Sequence, residues 1–227
     1  MKGKVYGIGV GPGDPELLTL KAVSLIKENE VFAVPGSNPR ESVAYKITAA
    51  AVPELAGKEL IALEAPMVRD REEMRKSHSH AAKQIGEVLD SGRNVVYLTL
   101  GDVSIYCTFT YISRLLEEAG YEVELVPGIP SFCAAAARLH TPLAEWDEPL
   151  HIVPALHNAG EALNERGNFV LMKSGSHIGE IKGALREKGL QVCAAENCGM
   201  PDEKLYSDLS EIPDDAGYFT LIIAKGL

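Results

Sequence analysis

NVVYLTLGDVSIYCTFTY, residues 94–111, decides how this chain is read. Val95 to Leu100 is a near-continuous apolar, β-rich run of strand length, the pattern of a parallel strand buried on both faces. Gly101 and Asp102 break the run. Ile105, Phe109, Ile112 and Leu116 then recur at helical spacing, which predicts a helix after the break. A strand, a Gly-Asp corner and a helix make half of a βαβ unit, and ligands in open α/β sheets bind outside the carboxyl ends of the strands. Gly101 lets a ligand approach the backbone, and the Asp102 carboxylate can accept hydrogen bonds from it. The plainer reading makes Asp102 a cap for the following helix.

Working outward, Lys4 to Val10 reads as the first strand, followed by the glycine loop G-I-G-V-G-P-G-D over residues 7–14. Asp14 is placed to cap a helix running from Pro15 through Ile26, and a capped helix after a glycine loop is a common anion or nucleotide site. The dinucleotide fingerprint G-x-G-x-x-G fails in both frames, because Pro12 and Asp14 stand where its last glycine belongs. Strands are predicted at 31–34, 59–63 and 121–126, with helices at 42–51, 70–89 and 132–139. A second sharp corner, Pro127 to Ser131, follows the 121–126 strand. His140 to Pro149 holds two prolines and few periodic apolar positions and reads as a linker, giving domains at 1–143 and 149–227. Beyond it the pattern gives strands at 150–154, 169–173 and 192–197 and helices near 159–165 and 178–188. An antiparallel pair, 204–209 with 218–224, completes the sheet. The fold class is α/β, two α/β domains with the ligand cleft between them.

The chain carries 22 basic against 32 acidic residues, a net charge of −10. Such a field repels phosphate backbones, so nucleic acid is not the expected partner. Cys107, Cys133, Cys193 and Cys198 form no C-x-x-C pair and read as reduced, mostly buried thiols. His78 and His80 are two apart and share no helix face, so they make no metal pair. With no apolar run long enough to span a membrane and no leader pattern, the expected location is cytoplasmic.

Three corners stand together in order: GVGPGDPELLTLKA at 9–22, TLGDVSIYCT at 99–108 and VPGIPSFCAAAARL at 126–139. With them go APMVRDREEMR at 65–75, VLMKSG at 170–175, AENCGMPDEKL at 195–205 and YFTLII at 218–223. This ordered set resembles the tetrapyrrole methylase family over nearly the whole chain. The 65–75 and 126–139 segments are most similar to members that methylate carbon 20 of precorrin-2 or cobalt-factor II in cobalamin synthesis. Two departures stand out: Val103 replaces the proline of the usual GDP corner, and Pro130 replaces the Thr or Ser before Ser131.

The resemblance implies an S-adenosylmethionine-dependent C-methyltransferase, a polycarboxylated tetrapyrrole substrate, no protein-bound metal and a homodimer. It places the methyl donor against Pro12, Leu100, Gly101, Asp102, Ile105, Pro130 and Ser131. Met172, Lys173, Cys198 and Thr220 of the second domain are placed around its adenosine end. The Gly11–Asp14 loop, with Gly13, is expected to face the tetrapyrrole. Local cations must hold the substrate's carboxylates, and Arg40, Lys46, Arg69, Arg71 and Arg138 are the candidates. No base is identified by motif; Asp102, Tyr106 and Tyr45 are candidates by location. Other readings are a sister methylase acting at another ring carbon, a nicotinamide-dependent oxidoreductase, and a ligand-binding protein without turnover.

Overall fold

The computed structural model describes residues 1–64, 70–154 and 159–226, which divide into two compact units, Met1–Pro130 and Ser131–Leu227. In the first unit β1 (Lys4–Gly9), β2 (Val31–Pro35), β3 (Glu59–Leu63), β4 (Val95–Thr99) and β5 (Glu122–Val126) form one parallel sheet in the order β3-β2-β4-β1-β5. The opening stretch is therefore its middle strand, and Val95, Val96, Tyr97 and Leu98 are all buried. Helices α1 (Leu20–Glu28), α2 (Val43–Ala51), α3 (Arg71–Asp90) and α4 (Phe109–Glu118) cover both faces. Alternation along the strands separates two cores. Val5, Ala33, Val95 and Tyr97 pack with Ile85, Leu89, Phe109 and Ile112, whereas Ile8, Phe32, Val96 and Leu98 pack with Ile26 and Ile47. Covering on both faces is why these strands read as apolar runs.

Two starts differ from the sequence pattern. Asp14 caps only a short 3-10 turn, Pro15–Leu17, accepting the Glu16 N–H at 2.9 Å. α1 begins at Leu20, because Thr19 supplies a second cap through the Ala22 N–H at 3.2 Å. Likewise α4 begins at Phe109, and Ile105 lies in the turn before it. Ser104 is bound back to Asp102, and the Cys107 sulfur receives the Phe109 N–H at 3.3 Å, which delays the helix. Elsewhere α3 starts where expected, with Asp70 accepting the N–H groups of Glu72 and Glu73. At the outer edge Lys4 pairs with Glu122 and Glu124 of β5, both at 2.7 Å, and Lys21 also reaches Glu124.

The second unit holds β6 (Leu150–Pro154), β7 (Asn168–Met172), β8 (Gln191–Glu196), β9 (Lys204–Tyr206) and β10 (Thr220–Lys225), ordered β6-β7-β10-β8-β9. β10 runs antiparallel between β7 and β8, while β9 pairs with β8. The expected 204–209 with 218–224 pair is thus not made. β10 carries the most apolar run, TLIIAK, and takes the central position where both neighbours cover it. α7 (Ile178–Lys188) and the short α6 (Ala159–Ala162) lie on the core face, and Gly189 closes α7 in the left-handed region at φ +65°. α5 (Ser131–Arg138) belongs to this unit rather than to the first, since it packs against β10 and buries Ala134, Ala135 and Ala136. The 140–149 segment lies within the second unit as well. Of the cysteines, Cys107 and Cys198 are buried, but Cys133 is exposed on α5. Among the described residues no helix is long and apolar enough to cross a membrane.

Phe109 ties the opening stretch to its neighbour. Its ring is fully buried, stacks on Tyr97 at 4.5 Å between centroids, and fills the space where a Gly7 side chain would stand. Gly7→Ala is therefore expected to cost about 1–3 kcal/mol by overpacking. Combined with Phe109→Leu, the total loss in urea unfolding should fall clearly below the sum of the single losses, because the two changes share one volume.

Candidate functional site

The strand order places the carboxyl ends of β4, β1 and β5 side by side, and each ends in a glycine corner. The corners are locked by backbone contacts. Gly11 and Gly101 exchange hydrogen bonds at 3.2 and 2.8 Å, and Val10 N–H donates to Thr99 O at 2.9 Å. Both bridging glycines are left-handed, at φ +77° and +72°, which L side chains rarely adopt. A Cβ on Gly9 would stand 2.6 Å from Gly101 O and 2.7 Å from Gly128 N, so the three corners approach more closely than any larger residue allows. Above Gly101 the space is open: among the described residues, its chain neighbours aside, no atom stands within 4 Å of where its Cβ would lie. Gly11, Pro12 and Gly13 are buried in this arrangement, and Leu100, Ile105 and Pro130 are half-buried beside it.

Asp102 does not cap the following helix, since α4 starts at Phe109. Its Oδ2 accepts the Gly128 N–H at 2.8 Å, while Oδ1 accepts the Ser104 N–H at 2.8 Å and the Ser104 hydroxyl. Burial opposes the charge, yet the Ser104 hydroxyl and the N–H groups of Ser104, Gly128 and Val103 outweigh it and hold the carboxyl below its ordinary pKa. Both oxygens are engaged within the fold, so this side chain fixes the β4 and β5 corners relative to each other. Val103, in place of the usual proline, is buried in the core beside Tyr97, Cys107 and Phe109. Tyr106 sits at φ +48° with its ring half exposed.

In the second unit the carried-over residues also gather at one end of the sheet. β10 runs antiparallel to β7 and β8, so its first residue, Thr220, lies at the end where β7 and β8 finish; Thr220 stands opposite Glu196. Met172 and Lys173 close β7 there, and Asn197 and Cys198 follow β8. Lys173 and Asn197 are left-handed at φ +62° and +52°. Among the described residues Thr220 Oγ1 is buried and finds no hydrogen-bond partner. Burial, first among the causes, pushes the Cys198 thiol up to about 11, and the Glu203 carboxylate beside it adds to this. A residue that the sequence analysis did not single out organises this end. Glu196 is buried and accepts the Gly217 N–H at 2.8 Å and the Tyr206 hydroxyl at 2.9 Å. Burial works against its charge, and these donors, with Lys204, hold it below the usual carboxylate range. The one available hint is that Glu196 ends an otherwise apolar strand, QVCAAE.

The expected cations divide. Arg40 is exposed after β2, donating to Tyr45 Oη at 2.7 Å and to Ala56 O at 3.1 Å. That contact, with Tyr45 itself buried in the core, removes Tyr45 from the candidate bases. Lys46 pairs with Glu41 at 2.9 Å. Arg138 lies in the second unit and forks onto Glu203, with Nε 2.9 and 3.2 Å from its two oxygens, so it acts as an ion-pair partner there. Arg71 opens α3, and Arg69 lies outside the described residues. Pro12, Gly13 and Asp14 stay together in the β1 corner, while Ser131 opens α5 in the second unit. Among the described residues no three His, Cys, Asp or Glu side chains gather as a metal site would require.

The family model for tetrapyrrole (corrin/porphyrin) methylases matches residues 4–213. The chain is 40% identical to the probable cobalt-precorrin-2 C(20)-methyltransferase of Methanocaldococcus jannaschii, over 98% of this chain and 96% of that one. It is 30% identical to the cobalt-precorrin-2 C(20)-methyltransferase of Salmonella typhimurium, over 99% of this chain and 97% of that one. The solved structure of uroporphyrin-III C-methyltransferase from Thermus thermophilus, in complex with S-adenyl homocysteine, superposes with a TM-score of 0.71 at 23% identity, covering 98% and 97% of the two chains. The family model spans most of the chain and these relatives match it over nearly their whole length, so this chain belongs to the tetrapyrrole methylase family.

The Asp102 clamp makes a sign-specific prediction. Because its folded pKa is depressed, its contribution is present above the unfolded value of about 3.8 and is lost as pH falls through the lower folded value. Asp102→Asn should destabilise the protein by about 1.5–3 kcal/mol at pH 7. Its stability should also fall less steeply than wild type below pH 4. If denaturant titrations show that wild type and variant lose equal stability between pH 7 and pH 3, the clamp lies elsewhere.

Proposed function

We propose that this protein transfers one methyl group from S-adenosylmethionine to carbon 20 of a reduced, polycarboxylated tetrapyrrole, with cobalt-factor II preferred over precorrin-2. The observation that carries the reading is the β4 corner, where Gly101 opens free space at the end of the central strand. The choice of carbon 20 is supported by the full-length likeness to relatives named for that position. A sister methylase would share the corner and differ only in where the methyl lands.

When bound, S-adenosylmethionine supplies a methyl group on a positively charged sulfur, already activated toward a carbon nucleophile. The residues then have to position and to exclude water. On this reading Pro12, Leu100, Gly101, Ile105, Pro130 and Ser131 hold the methionine end, with Asp102 fixing the corner that carries them. Met172, Lys173, Cys198 and Thr220 hold the adenosine end. The unpartnered Thr220 hydroxyl fits such a group, since a buried donor without a partner is costly until a ligand satisfies it. Gly11, Gly13 and Asp14 face the tetrapyrrole, and exposed Arg40 offers charge to its carboxylates. The working form is a homodimer in the cytoplasm, a reading that rests on the family.

Supplying both substrates anaerobically with a carbon-13-labelled donor should put the label on carbon 20 by NMR; label on another ring carbon would reject the position. Thr220→Val should weaken binding of S-adenosylhomocysteine by about tenfold, the worth of one hydrogen bond, while leaving the unliganded protein as stable or more so. Unchanged affinity in calorimetry would remove Thr220 from the site. Light scattering should return twice the 24.4 kDa chain mass, and a single-chain mass would exclude the dimer.

A further inference from the structure

Glu196 ends β8 with its carboxylate buried. Such a group weakens a fold unless its oxygens are met. Both are met: Oε1 accepts the Gly217 N–H at 2.8 Å and Oε2 the Tyr206 hydroxyl at 2.9 Å, with Lys204 Nζ 3.6 Å away. Packing alone does not call for a carboxylate. Apolar residues fill the rest of that face, with Val192 and Ala194 of β8 in the same core as Ile222 and Ala224 of β10. An apolar side chain of like size would close it as well, since buried charge adds little net stability. What only the carboxylate can do is hold the 217–219 loop. Gly217 has no side chain to anchor it, Tyr218 and Phe219 are exposed, and Asn197 N–H reaches Phe219 O only at 3.4 Å.

The loop leads directly into Thr220. Thr220 stands opposite Glu196 in the antiparallel ladder, so the two side chains share a face of the sheet. Its N–H donates to Gly217 O at 3.1 Å. One glycine therefore joins the pair: Glu196 holds its N–H, and its carbonyl holds Thr220. A Cβ on Gly217 would stand 2.8 Å from Glu196 Oε1, so the link has room for glycine alone. Among the described residues the Thr220 hydroxyl is buried without a partner, and a group kept ready for a ligand must be held to within about 0.5 Å by its surroundings. Resting on the function proposed above, in which Thr220 meets the adenosine end of the donor, we infer that Glu196 is a positioning residue for that end. Through Gly217 it sets where the Thr220 hydroxyl stands, without touching the donor itself.

A double-mutant cycle on the full chain tests it, read as calorimetric affinity for S-adenosylhomocysteine at a temperature where every variant is folded by circular dichroism. Glu196→Ala should weaken binding by up to about tenfold, the worth of the bond that Thr220 makes. In the Thr220→Val background the same change should cost less than about twofold, because the group it positions is already gone. Glu196→Gln keeps an acceptor for the Gly217 N–H and should restore affinity to within about threefold of wild type. Where Glu196→Ala does not fold, Gly217→Ala, which crowds the carboxylate, takes its place in the cycle. Equal losses in both backgrounds, or no loss in either, would show that Glu196 only stabilises the fold and overturn the inference, while donor binding by wild type leaves the proposed function standing. Unchanged affinity in Thr220→Val also overturns it, since nothing then remains to be positioned. Failure of the wild-type protein to bind S-adenosylhomocysteine overturns the functional reading and this inference with it.

Discussion

The first unit depends on one hydrogen bond, from the Gly128 N–H to the Asp102 carboxylate. Parallel strands are joined by ladders along their length, but nothing in the ladder fixes what happens after it ends. Here two loops leave adjacent regions of the sheet, and a buried anion reaches from one to the backbone of the other. Charge-assisted bonds are about twice as strong as neutral ones, and burial makes an unmet N–H expensive, so the corner has one low-energy arrangement. Gly9 and Gly128 are the steric condition for that bond, since a Cβ on either would intrude on the backbone of the other and on Gly101 O. The open space at Gly101 borders the same packing.

The second unit repeats the device with different residues. Glu196 reaches the backbone of Gly217 as Asp102 reaches that of Gly128, and Gly217 is small because a Cβ there would press on Glu196 Oε1 at 2.8 Å. Lys182 steadies the same loop from beneath, its buried ammonium donating to Ile212 O at 2.7 Å and Asp214 at 2.6 Å. In both units, then, a carboxylate at a strand end organises a loop, and left-handed residues cluster at that end. Strand ends suit a binding site because the sheet supplies rigidity and the loops supply variable chemistry.

How much of this was legible in the sequence follows from where the determining forces lie. Strands such as 95–99 and 31–34 were readable because burial on both faces writes itself as an apolar run. Gly189 was readable as a helix stop because a C-cap is local. The start of α1 was misread because Asp14 and Thr19 both offer caps, and only tertiary placement chooses between them. The β9 and β10 partners were misread because pairing in an antiparallel sheet is a long-range choice that local pattern does not encode. α5 went to the wrong unit for a related reason: FCAAAARL announces close packing but not against what. At the site, Gly101 and Asp102 were recognisable as a corner, while the partner of Asp102, a backbone N–H 26 residues on, has no side-chain signature. The engagement of Arg138 by Glu203 was equally invisible, since either charge alone reads as surface.

The ion pairs on β5 bear on a different hazard. A parallel sheet that ends in an uncovered strand presents a row of unpaired backbone groups to any other extended chain. β5 is such an edge, and it exposes Leu125 directly after Glu124. The two carboxylates of Glu122 and Glu124, braced by Lys4 and Lys21, set fixed charge along the same strand. An incoming strand would have to desolvate them, which keeps the edge solitary during synthesis, when partly folded chains crowd together. Because exposed charges are screened by salt, this guard weakens as ionic strength rises, and aggregation of folding intermediates should set in through β5 first.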